Sequence, residues 1–104
     1  MIAIIDYGVG NLFSLAYSLK SLGLETKVTR DAAAIRAADH IILPGVGAFA
    51  DAMAKLEATG LVPVIKQEVE HKPLLGICLG MQLLFEKSYE YGEHTGLGLI
   101  PGEV

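Results

Sequence analysis

The only cysteine of the chain, Cys78, stands in Gly76-Ile77-Cys78-Leu79-Gly80, with a glycine two positions away on either side. A thiolate is a strong nucleophile, and Gly-x-nucleophile-x-Gly is the pattern of a nucleophile elbow, here with sulfur in place of a serine oxygen. The hydrophobic period changes at this point. Before Cys78, Leu74-Leu75 begins a short apolar run of the kind buried in a parallel sheet; after it, Leu79, Leu83, Leu84 and Phe85 fall on a helical stripe. The reading is strand, sharp turn, helix. A residue at such a turn is strained and projects from the sheet, and the flanking glycines let strand and helix approach without Cβ clashes. Unpaired amides and the dipole of a helix N-terminus favour an anion there, which populates the reactive thiolate. The Leu79 amide, next after the nucleophile, is an oxyanion-hole candidate, and the chemistry that fits is acyl transfer. The alternative for a lone cysteine is a small buried apolar residue; the paired glycines and the change of period favour the elbow.

Two glycine-rich loops precede the elbow, each after an apolar strand. Ile2-Ala3-Ile4-Ile5-Asp6 runs into Tyr7-Gly8-Val9-Gly10-Asn11, and His40-Ile41-Ile42-Leu43 runs into Pro44-Gly45-Val46-Gly47. The carboxyl ends of strands are where open α/β sheets bind ligands. Gly8-Val9-Gly10 lacks the third glycine of a dinucleotide fingerprint, since position 13 is Phe. Asp6 has no adjoining second acid of the kind phosphoacceptor sites carry. Gly45 and Gly47 leave amides that can form an anion nest, although a plain connecting loop fits the local sequence equally well.

The remaining elements must position these loops. Asn11 caps a helix over Leu12 to Leu22 ended by Gly23; Glu25-Thr26-Lys27-Val28-Thr29 alternates as a half-exposed edge strand does; Asp31 caps a short helix to Ala38. Helical patterns run from Phe49 to Leu56 and from Leu61 to Val69, with Pro63 in the first turn of the second. Ser88 to Val104, rich in glycine, reads as loop with a short strand at Leu97 to Ile100. Alternating strands and helices predict one α/β domain over residues 1–104, with three layers, a mostly parallel sheet and flavodoxin-like topology.

Composition sets further limits. With 8 basic and 12 acidic residues the net charge is -4, and the basic residues are scattered, so neither nucleic acid nor an anionic membrane surface is an expected partner. No cysteine and histidine cluster has metal-site spacing, and one cysteine forms no internal disulfide, so no cofactor or metal and a cytoplasmic location are expected. The chain is 52% hydrophobic and only 19% charged, apolar for so small a domain. Either both sheet faces are covered or an apolar surface meets a partner.

Three segments together carry a resemblance along the whole chain. Ile5-Asp6-Tyr7-Gly8-Val9-Gly10-Asn11-Leu12, Leu43-Pro44-Gly45-Val46-Gly47-Ala48-Phe49 and Gly76-Ile77-Cys78-Leu79-Gly80-Met81-Gln82-Leu83-Leu84-Phe85-Glu86 resemble, in order, motifs of class I glutamine amidotransferases. The first segment and Val46 point within that family to the glutaminase subunits of imidazole glycerol phosphate synthases of histidine biosynthesis. The resemblance implies that Cys78 attacks the glutamine side-chain amide, forming a glutamyl thioester and releasing ammonia. It implies that Gly45, Val46, Gly47 and Leu79 form the oxyanion hole and that Gln82 and Glu90 hold the substrate. Tyr7, Gly8, Val9, Gly10 and Asn11 would face a (β/α)8-barrel cyclase subunit that consumes the ammonia.

The family completes its triad with a His-x-Glu pair downstream of the cysteine. His40, His71 and His94 lack that context, so the chain reads as an N-terminal half whose isolated form is expected to be inactive. A rival reading is a non-catalytic, self-associating folding module or engineered half-domain, expected as a homodimer through its uncovered sheet edge and face.

Overall fold

The computed structural model describes residues 1–104. Strands Ile2–Ile5 (β1), Thr26–Thr29 (β2), His40–Leu43 (β3) and Leu74–Gly76 (β4) form one sheet in the order β2-β1-β3-β4, every pair parallel. Helices Leu12–Ser21 (α1), Ala32–Ala37 (α2), Phe49–Ala58 (α3) and Val62–Glu68 (α4) fill the connections. The caps are the expected ones: Asn11 Oδ1 accepts from the Ser14 amide at 3.2 Å and Asp31 Oδ1 from the Ala33 amide at 3.3 Å.

Side chains alternate across the sheet, so the two faces have different fates. Ala3, Ile5, Ile41 and Leu43 join Ile35, Phe49, Leu56 and Ile65 in the main core, where burying each large side chain contributes about 1.5–3 kcal/mol. The other face carries Ile2, Ile4 and Ile42 and is met by α1, which has no fully buried residue. A groove of about 410 Å³ remains there, bordered by Leu19, Leu24, Ile42 and Leu75. Leu75 is 56% exposed on β4, whose outer edge has no strand partner. The apolar composition is thereby explained by an incompletely covered face.

The C-terminal third departs from the sequence expectation. The helix after the elbow, Leu79–Gln82 (α5), is a single turn, and Phe85–Ser88 is a strand (β5) rather than helix. With His94–Thr95 (β6) and Ile100–Glu103 (β7) it forms a second sheet in the order β6-β5-β7, where loop was expected. The reason lies in backbone pairing. The Leu83 carbonyl accepts from the Leu97 amide at 2.8 Å, and that of Leu84 from the amides of Leu99 at 2.8 Å and Ile100 at 3.0 Å. Carbonyls used by the tail do not continue a helix, and Leu83, Leu84 and Leu97 are buried together in the main core. The expected strand at Leu97 to Ile100 forms three residues later, with Pro101 on an edge strand where its missing N–H costs nothing.

A buried ion pair joins α2 to α4. Glu68, 6% exposed, takes Lys72 Nζ at 2.8 Å, and Lys72 also donates to the carbonyls of Ile35 at 3.1 Å and Arg36 at 3.0 Å. The Lys72 hydrogen bond holds the Glu68 carboxyl below the usual glutamate range. A depressed folded-state value stabilises above the unfolded value of about 4.3 and is lost as pH falls through the folded value. In urea unfolding, Glu68→Gln should lower the midpoint near pH 6, and the gap to the wild type should shrink towards pH 3; a gap independent of pH would contradict the pairing.

Candidate active site

Cys78 follows β4 and caps α5 with φ 54 and ψ -122, one of two non-glycine residues at positive φ. That conformation costs on the order of 1–3 kcal/mol and persists only where surrounding contacts impose it. They do so here through the two glycines. A Cβ on Gly76 would stand 2.6 Å from Met81 Cα, and one on Gly80 would overlap the Leu43 carbonyl oxygen at the end of β3. The strand, the turn and the first helical turn are thus wedged against one another and against β3, and the thiol is left exposed.

The second glycine loop lies directly on this elbow. Gly45 is buried; its carbonyl accepts from the Leu79 amide at 3.2 Å, and its Cα is so close that a Cβ would meet Gly80 N at 2.6 Å. Beyond it the loop opens: Val46 is 59% exposed, Gly47 has φ 94, and the amides of Val46 and Gly47 donate to no protein acceptor. The arrangement therefore has two free donors in the loop, while the Leu79 amide, expected as a free donor, is occupied. The two amides after it are also taken, Gly80 by Ile77 O at 2.9 Å and Met81 by Cys78 O at 3.0 Å. A one-turn helix offers the sulfur no set of unpaired amides.

Glu90 and Gln82 lie at opposite ends of the segment that runs from the elbow through β5. Gln82 closes α5 and is half-buried. Glu90 Oε1 accepts from the Phe49 amide at 3.1 Å and caps α3, whose own N-cap, Ala48, has no side-chain acceptor. Its backbone amide donates to the buried Ser88 Oγ at 3.2 Å. Glu90 thereby ties β5 to the helix that follows the glycine loop.

Of the five residues of the first loop expected to face a partner, Tyr7 and Val9 are buried in the core and cannot do so with their side chains. Gly8 and Asn11 are exposed. Tyr7 instead donates its hydroxyl to the Pro44 carbonyl, and burial pushes its phenol up to about 12. Sequence gave no sign of this contact beyond a tyrosine at a strand's end, because its acceptor lies 37 residues away. The histidines are elsewhere. His40 opens β3 at the sheet end remote from Cys78, His71 lies 3.7 Å from Glu68, and His94 Nε2 is 3.2 Å from Tyr91 O.

A sequence model described as Glutamine amidotransferase class-I matches residues 3–96. The chain is 54% identical over 104 residues to a protein of Exiguobacterium sibiricum, and 59% identical over 104 residues to one of Moorella thermoacetica. Both are described as imidazole glycerol phosphate synthase subunit HisH. The matches cover 100% and 99% of this chain but 53% and 50% of those proteins, so the chain spans about half their length. A solved structure described as a glutamine amidotransferase superposes with a TM-score of 0.81 at 23% identity, covering 99% of this chain and 55% of that one, a likeness of fold.

The glycine contacts predict a rank order. Gly80→Ala, with backbone in its way, should destabilise by at least about 3 kcal/mol. Gly47→Ala meets nothing within 4 Å and should cost only the positive φ, about 1–2 kcal/mol. Urea unfolding of both variants measures this, and equal losses would contradict the wedge.

Proposed function

The chain belongs to the class-I glutamine amidotransferase family, and from that premise we propose that it is the nucleophile-bearing portion of a glutaminase subunit of imidazole glycerol phosphate synthase. The observation that carries this is Cys78, exposed and at positive φ on a glycine-wedged elbow, beside a loop with unpaired amides. The Cys78 thiolate attacks the side-chain carbonyl carbon of glutamine. The oxyanion is met by the Val46 and Gly47 amides, and by Leu79 once Gly45 releases it. Collapse breaks the C–N bond, ammonia leaves with a proton from a general acid, and water hydrolyses the thioester to glutamate. Gln82 and Glu90 hold the substrate. Exposed Gly8 and Asn11, with half-buried Gly10 between them, face a (β/α)8-barrel cyclase that takes up the ammonia. The exposed free thiol fits a reducing cytoplasm.

The proton-transfer group comes from outside these 104 residues, since no histidine here is placed for it. Losing the base of a nucleophile–base pair costs on the order of 10⁴ to 10⁶ in turnover. An ammonia assay should show this chain level with its Cys78→Ser variant. The longer subunit with its cyclase partner should release ammonia from glutamine and lose that activity on Cys78→Ser; a serine variant that retains it would overturn the reading.

A second reading concerns the chain by itself. Exposed Leu75, Val28 and Leu24 and the unpaired β4 edge favour pairing with a second copy, most simply about a two-fold axis. Sedimentation at micromolar concentration should give a dimer that Leu75→Lys dissociates; a stable wild-type monomer would contradict it.

A further inference from the structure

We propose that Tyr7 is a positioning residue for the oxyanion loop, fixing the Pro44 carbonyl so that the adjacent Gly45 carbonyl stays on the Leu79 amide. Consecutive carbonyls are held from two sides. The Tyr7 hydroxyl, on a side chain 2% exposed, donates to Pro44 O, and Leu79 N donates to Gly45 O at 3.2 Å. The phenol also walls in Gly45, where a Cβ would stand 2.8 Å from the Tyr7 oxygen. Gly10 of the same first loop lies against the Pro44 ring, with a Cβ there 3.2 Å from Pro44 Cβ. Upstream of Gly45 the backbone is therefore pinned, and downstream, at Val46 and Gly47, it is open.

The consequence is chemical. An oxyanion on a carbon bonded to Cys78 Sγ meets the Leu79 amide only after Gly45 O gives it up. Because Pro44 is tethered through its own carbonyl, that release is opposed by the phenol. Burial raises the phenol to about 12, so at neutral pH it is protonated and remains a donor. A buried hydroxyl placed against a backbone carbonyl has no free alternative partner, so its loss leaves Pro44 O unpaired and its peptide free to move.

The catalytic part of this inference rests on the glutaminase reading; the backbone part does not. Tyr7→Phe keeps the ring and removes only the donor. In the 104-residue chain, hydrogen exchange of the Leu79 amide should rise about fivefold to tenfold, while Ile4 and Ile42 in β1 and β3 exchange at wild-type rates. In the longer subunit with its cyclase partner, kcat for glutamine hydrolysis should rise severalfold with KM unchanged. A Leu79 rate within twofold of wild type, or a uniform rise at all amides, would overturn the positioning role. So would a wild-type Tyr7 hydroxyl proton in fast exchange with water, a measurement that needs no variant. Absence of glutaminase activity in the wild-type longer subunit with its cyclase partner would instead overturn the functional reading and leave the exchange result standing.

Discussion

The constraint on which the rest depends is the absence of a side chain at Gly80, whose Cα lies against the Leu43 carbonyl at the carboxyl end of β3. That approach brings the elbow's first helical turn onto the neighbouring strand. With Gly76 against Met81 on the other side, it leaves the residue between them no ordinary conformation, and Cys78 is forced to φ 54. The strain is offset by the core beneath, where Leu43, Leu79 and Leu83 are buried with Phe49. Exposure of the thiol follows from the same geometry.

The glycine loop, the first loop and the second sheet are each attached to this wedge by hydrogen bonds between distant parts of the chain. Gly45 accepts from Leu79, Tyr7 donates to Pro44, and Glu90 caps α3 just past the loop. The site is a junction of strand ends, as open α/β sheets arrange it. In this arrangement the Cys78 thiol is exposed, the Leu79 amide is occupied, and His40 stands at the opposite end of β3. The chain belongs to the class-I glutamine amidotransferase family and spans about half the length of its curated relatives.

What was legible in the sequence was what short-range pattern controls. Ile2–Ile5 and His40–Leu43 are β-branched runs bounded by glycine loops, and the Asn11 and Asp31 caps mark their helices; all formed where expected. The elbow was legible because both glycines sit at fixed offsets from the cysteine. Pairing across long separations was not. Phe85 continues a helical stripe on paper, yet its neighbours' carbonyls are taken by Leu97 and Leu99, and the tail becomes sheet. The Leu79 amide looked free because its acceptor, Gly45, is 34 positions earlier, and Tyr7 looked like surface because nothing local marks Pro44 as its partner.

The backbone of Cys78 is the most direct test of this account. In solution NMR, the intraresidue amide-to-Hα NOE at Cys78 should be distinctly stronger than those of Leu74 and Leu75 in β4, as positive φ requires. An NOE at Cys78 as weak as those of the strand would mean negative φ and a relaxed turn, and would contradict the claim that the glycine wedge holds Cys78 in a strained elbow.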